Sequence, residues 1–150
     1  MKKKLFLCAT GLTESSLNSL QWTFELAGKC EAQVAILFCY RLIPQDAEGG
    51  DNIDIKKTME EGARNRFRQL EKNFIKKAVV PYQFYPEVGF FSTRIEAFVK
   101  RTQVNLLVVG SQVVQSFNEN LNMNFEQFIK DLKVPVTIVP EDLEIPIAIG

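Results

Sequence analysis

The chain has 150 residues, 46% of them hydrophobic and 24% charged, with eighteen basic side chains balanced by eighteen acidic ones and no histidine. A chain of this size can bury a core of its own as one domain, residues 1–150, and its neutral balance gives no overall field to hold a polyanion, so nucleic acid is not an expected partner. Without histidine, Ser-His-Asp and Cys-His nucleophilic systems are excluded, and metal sites lose their commonest ligand.

"MKKKLFLCATG" opens with a basic cluster, but its apolar run from Leu5 to Ala9 is shorter than a signal core and ends in Thr10 and Gly11, so a first strand is expected there. No apolar run approaches the length of a membrane span, and a cytoplasmic location is the expectation. Leu17, Leu20, Phe24 and Ala27 then fall on one helix face. Thr13 is placed to cap that helix, Leu12 and Leu17 to close as a hydrophobic staple, and Gly28 to stop it. "EAQVAILFCY" is a continuous apolar run, as expected of a strand covered on both faces in a parallel sheet.

"RLIPQDAEGGDN" reads as a loop, and a long helix to about Ala78 follows, with Met59, Ala63, Phe67, Leu70 and Phe74 on one face. Its other face mixes Arg64, Arg66, Arg68, Lys72, Lys76 and Lys77 with Glu60, Glu61 and Glu71, the pattern of a solvated surface. "PYQFYPEVG" suits an edge strand, since proline cannot donate to an inner ladder. A third helix over Ser92 to Thr102 buries Ile95, Phe98 and Val99 and leads to the strand "NLLVVG". A fourth holds Phe125, Phe128, Ile129 and Leu132 ahead of the last strand, "VPVTIVP". Strands and helices alternating in this way force parallel neighbours with right-handed crossovers, which gives a three-layer, doubly wound α/β domain. In such folds ligands sit beyond the carboxyl ends of the strands, where strand order reverses. Cys8, Cys30 and Cys39 form no CxxC pair and read as small buried hydrophobes in a reducing compartment.

Three stretches, "LFLCATGLTESSLNSLQWTFELA", "VGFFSTRIEAFVKRTQVNLLVVGS" and "VPVTIVPE", in this order and spacing, resemble the universal stress protein family over nearly the whole chain. The resemblance implies a five-stranded sheet in the order 3-2-1-4-5, the adenine nucleotide alpha hydrolase-like arrangement. It also implies a crevice between the ends of the first and fourth strands, and homodimers formed through the fifth. The ATP-binding branch carries an Asp after its first strand and, after its fourth, a Gly-x-x-Gly pair followed at a fixed interval by Gly-Ser or Gly-Thr. Here the Asp position falls on Gly11. Gly110 matches, but the second glycine falls on Val113 and the final pair on Met123 and Asn124. The resemblance is therefore to the branch lacking the ATP motif.

A phosphate cradle turns backbone N–H groups toward an anion through positive φ angles, which a β-branched Val113 adopts only at a cost of about 1–2 kcal/mol. The stretch from Val113 to Asn124 is expected as a polar loop, with Asn118, Asn120 and Asn122 supporting turns. Asn124 and Gln127 would then form a capping box for the fourth helix, with Met123 and Phe128 as its staple. If the crevice binds a ligand, Thr10, Gly11, Gly110, Ser111 and Asn124 are the residues that would hold it. Ser15 and Ser16, in a helix's first turn, could bind an anion, and Phe90, Phe91, Phe117 and Phe125 could line an apolar pocket. Glu60 with Glu61, and Glu141 with Asp142, read as surface charge rather than acid–base pairs.

The expectation is a cytoplasmic regulatory homodimer of the stress-response type, not an enzyme, without cofactor or metal. It would pair through the last strand, Val134, Val136, Ile138 and Val139, and through the tail 140–150 with Ile145, Ile147 and Ile149, because an open apolar sheet edge invites a second copy. The alternative is a sensor or weak ATPase that takes ATP or another adenine nucleotide in an altered phosphate loop.

Overall fold

Alternation along the first strand sets the architecture. In the computed structural model, which describes residues 3–42, 52–74, 80–121 and 123–141, β1 (Leu5–Ala9) sends Phe6 and Cys8 to one face of the sheet and Leu7 and Ala9 to the other. All four are buried, as a central parallel strand requires. A 3-10 turn at Glu14–Ser16 leads into α1 (Leu17–Cys30), and β2 (Gln33–Tyr40), α2 (Asn52–Phe74), β3 (Tyr82–Val88), α3 (Phe91–Arg101) and β4 (Leu106–Gly110) follow. Then come two helices, α4 (Ser111–Leu121) and α5 (Phe125–Leu132), before β5 (Val136–Val139). The sheet is parallel throughout, in the order β3-β2-β1-β4-β5.

Two apolar layers sandwich it. On one side Leu20, Phe24 and Ala27 of α1 and Ala63, Phe67 and Leu70 of α2 meet Phe6, Cys8, Val34, Ile36 and Val108. On the other, Ile95 and Phe98 of α3, Val113 and Phe117 of α4 and Phe125 of α5 meet Leu7, Ala9, Leu37, Leu107 and Val109. The expected faces of α1, α2 and α3 are those observed, and the proline-bearing β3 is an edge strand, where Pro86 withholds no N–H from an inner neighbour. The thiols of Cys8 and Cys39 are pushed up to about 12 by burial and carry no thiolate at neutral pH.

Three local expectations are corrected. Gly28 does not stop α1: it lies inside the helix, where a Cβ would make ordinary contact with Val80, and the chain turns at Glu31 in the left-handed conformation. The polar loop after β4 is a helix, so five helices rather than four are described. The capping box at α5 is half made. Asn124 Oδ1 accepts from the N–H groups of Glu126 (2.9 Å) and Gln127 (3.3 Å), but the Gln127 amide turns forward to Asp131, and Met123 is exposed rather than closed over Phe128 as a staple. Lys76, Lys77, Asn122, Asp142, Ile145, Ile147 and Ile149 lie outside the described residues, as do the side chains of Phe74, Asn118 and Asn120.

Candidate functional site

Strand order reverses between β1 and β4, and there the fold opens its crevice. Thr10 follows β1 one register step beyond the Ala9–Val109 pair, beside Gly110 at the end of β4. Its N–H donates to the Leu37 carbonyl (3.1 Å), while its buried hydroxyl has no partner among the described residues. Gly11 comes next, and a Cβ there would stand 3.4 Å from Ser16 Oγ.

Helix α4 starts at Ser111, immediately after Gly110, so the chain passes from strand to helix where a phosphate loop would bow outward. Val113 is therefore an ordinary helical residue, 3% exposed, packed with Phe117 in the core. The positive φ that a phosphate cradle would require is absent at Val113. Among the described non-glycine residues only Glu31 and Lys133 have one, both at helix ends. The apolar spacing of Val113, Phe117 and Leu121 is itself a helix signal that the asparagines obscured.

The largest correction concerns Glu141. Expected as surface charge, it is 6% exposed. Its Oε1 accepts from the N–H of Gln112, second residue of α4 (3.2 Å), and its own N–H donates to Ser111 Oγ (2.8 Å). The carboxylate thus does the work of a helix cap from 29 residues along the chain, where the helix dipole favours a negative charge. It also lies over the α-carbon of Gly110: a Cβ there would overlap Oε1 and Cδ, and would stand 2.8 Å from Ser19 Oγ. Burial raises the carboxyl's pKa above its ordinary value, while the Gln112 N–H and the hydroxyls of Ser16 and Ser19 pull it partly back. Glu141 Oε2, though buried, completes no hydrogen bond among the described residues.

The crevice is also stitched across its mouth. The Gln112 side-chain amide donates to Ser15 Oγ (2.8 Å), which is hydrogen-bonded to Thr13 Oγ1 (2.8 Å), and the Thr13 N–H donates to Ser16 Oγ (3.2 Å). On the other side of the loop, Arg66 Nε of α2 donates to the Leu12 carbonyl (2.9 Å). Of the expected ligand-holding residues, Thr10, Gly11, Gly110 and Ser111 meet at this crevice. The side-chain oxygen of Asn124 is spent on the start of α5.

A family model described as the universal stress protein family matches residues 3–140. The chain belongs to the universal stress protein family. A search of curated proteins finds no match. Among solved structures, the universal stress protein UspA from Lactobacillus plantarum superposes with a TM-score of 0.67 at 12% identity, over 93% of this chain and 99% of that one. A universal stress family protein from Burkholderia pseudomallei gives 0.63 at 17% identity, over 91% and 96%. A universal stress protein solved in complex with cAMP gives 0.58 at 18%, over 93% and 98%. At these identities the likeness establishes the fold. In this universal stress protein a helix begins where a glycine loop was sought, and a buried carboxylate sits at its start.

The pocket that these aromatic side chains could line forms in part. Phe90, Phe91 and Phe117, with Cys39, Arg41 and Ser116, line a cavity of about 130 Å³, and the Arg41 guanidinium lies over the Phe90 ring at 4.9 Å. Phe125 instead packs edge-on against Phe117, at 4.9 Å between centroids, inside the core. Among the described residues no helix is long and apolar enough to cross a membrane, and no group of three or more Cys, Asp or Glu side chains is placed to hold a metal.

Proposed function

We propose that this universal stress protein acts as a regulatory stress-response homodimer in the cytoplasm, without catalytic activity and without ATP in its crevice. The observation that carries the reading is the pairing of the Glu141 carboxylate with the first turn of α4. A triphosphate would need the same N–H groups and would meet a negative charge already beside them. The lack of histidine in the whole chain and of a metal-ligating cluster among the described residues is consistent with a binding or regulatory role. Pairing through β5 is supported by Ile138, 47% exposed on an edge strand, with the half-buried Val134 and Val136 close by in sequence. Val139 faces its own core and adds nothing to such an edge.

A second reading, a nucleotide sensor, is favoured by the buried hydroxyl of Thr10, which has no partner among the described residues, and by the structural neighbour that was solved with cAMP. Calorimetric titration of the wild type with ATP, ADP and cAMP separates the two. The first expects no heat of binding and no thermal shift. The second expects a ligand at one hundred times its dissociation constant to add about 2.7 kcal/mol of stability.

A further inference from the structure

The cavity walled by Phe90, Phe91 and Phe117 is separate from the crevice: none of Thr10, Gly11, Gly110 and Ser111 lines it. Its volume of about 130 Å³ is near the roughly 150 Å³ of an apolar cavity that takes up benzene, so a single six-membered ring suits it. Its polar side is the start of α3. Gly89, at φ 130°, turns the chain out of β3, and Phe90 then stands at the N-cap position with no side-chain hydrogen bond to the helix. No acidic residue follows in the first turn, so nothing on this eleven-residue helix offsets the positive end of its dipole or serves its first N–H groups. Ser92 is a second and independent sign of a ligand. It lines the cavity, is only 6% exposed, and its hydroxyl makes no hydrogen bond among the described residues. The third sign is the Arg41 guanidinium, 4.9 Å over the Phe90 ring and without an ion-pair partner among the described residues. Arg94 and Glu87 act in opposite directions on the thiol of Cys39 in the cavity wall, and so offset one another. Arg41 and the helix are left as a net positive charge beside an aromatic hollow.

We propose that this cavity binds a small aromatic carboxylate of the size of benzoate. The ring lies among Phe90, Phe91 and Phe117, and the carboxylate meets the start of α3, the Ser92 hydroxyl and Arg41. Each half of such a ligand answers one half of the cavity. An uncharged ring would leave the Ser92 hydroxyl and the helix N–H groups unserved, and an inorganic anion would leave the aromatic walls facing water. The two fused rings of a purine exceed a hollow that suits one. The walls come from the end of β2, the start of α3 and the middle of α4, so a bound ring ties three elements together without entering the crevice. The proposal stands whether or not the crevice takes a nucleotide.

The probes are sodium benzoate, its uncharged counterpart benzamide, and AMP, each titrated into the full chain and followed by amide resonances, with Arg41→Gln as the variant. Benzoate is expected to bind wild type with a Kd of about 1 mM or below, moving the Phe91 and Ser92 amides most and leaving those of Ser111 and Gln112 in place. Replacing benzoate by benzamide, or Arg41 by Gln, should each lower the affinity at least about tenfold, because one charge-assisted contact is lost. No movement at Phe91 and Ser92 up to about 10 mM benzoate overturns the inference, as does benzamide binding as tightly as benzoate. Benzoate shifts centred on Ser111 and Gln112 overturn the location. Displacement of benzoate from Phe91 and Ser92 by AMP overturns the ligand class, in favour of a nucleotide base. AMP bound at Ser111 and Gln112 counts instead against the proposed function, and the benzoate shifts are then read on their own. Arg41 is exposed, so its variant should fold; if it does not, benzoate against benzamide on the wild type decides.

Discussion

The Glu141 carboxylate rests on the α-carbon of Gly110, so the glycine at the end of β4 makes room for a side chain of the same molecule. This gives Gly110 a structural reason independent of any nucleotide. Gly110→Ala should cost about 1–3 kcal/mol, because the new Cβ would overlap the carboxylate and crowd Ser19 Oγ at 2.8 Å. Most of that cost should vanish in a Glu141→Ala background, where only the Ser19 hydroxyl must rotate away. Urea unfolding of the two single variants and the double variant measures the coupling. Strict additivity would mean that the two residues do not share the space.

A buried carboxyl with a raised pKa makes stability depend on pH in a definite direction. The folded state holds the Glu141 proton more tightly than the unfolded chain, so this residue's contribution is fully present below its ordinary value of 4.5 and is lost as pH rises through the raised folded value. Glu141→Gln mimics the protonated form at every pH. Its melting temperature should exceed that of wild type near neutrality, with the gap closing as both are taken from about pH 8 to about pH 4. Parallel curves for the two proteins across this range would contradict the assignment.

Val113 offers the sharpest contrast between a loop and a helix at the end of β4. With its side chain in the core and its backbone in α4, Val113→Gly should lose about 1.5–3 kcal/mol of burial and about 1 kcal/mol of helix propensity. For a domain of this size the melting temperature should fall by roughly 2–4 °C for each kcal/mol. Had the residue been a strained position in a phosphate loop, glycine would have stabilised it. Gly11→Asp, by contrast, should be tolerated, since a Cβ there meets only Ser16 Oγ at 3.4 Å and the backbone requires no glycine.

The parallel sheet and the faces of α1, α2 and α3 were legible because each rests on local periodicity that burial reinforces: Leu20, Phe24 and Ala27 point inward in sequence and in space, whereas the strand order followed only from the resemblance to the universal stress proteins. The start of α4 was not legible in the same way. Gln112, Asn118 and Asn120 dilute its apolar stripe, so that Val113 suits core packing and loop packing alike. Glu141 was beyond reach for a different reason. A charged residue after a strand is solvated by default, and only the long-range contact with Gln112, 29 residues away in sequence, makes it a cap. The candidate residues that lie near one another, Thr10 with Gly110 and Ser111, are those tied to strand ends, whose positions follow from the register.

Asn124 sits at the start of α5, where its Oδ1 serves two backbone N–H groups. Asn124→Ala should therefore cost about 1 kcal/mol and leave the crevice untouched. The expected readout is a melting temperature lowered by roughly 2–4 °C, with the Gln112 amide resonance unmoved. A shift at Gln112 would show that Asn124 reaches the crevice after all.

Pairing through β5 is tested most directly at Ile138, the most exposed of the large hydrophobic residues on this edge. A lysine there is solvated readily in a monomer but would be buried without a partner between two apolar edges, and it also places like charges across any two-fold axis. Ile138→Lys should convert a dimer to a monomer in light scattering at micromolar concentration. The cost to the monomer's own stability should be within about 0.5 kcal/mol, because the side chain packs on little of its own core. A wild type that already scatters as a monomer would remove β5 as the interface. A variant that remains dimeric would move the interface to another face of the molecule.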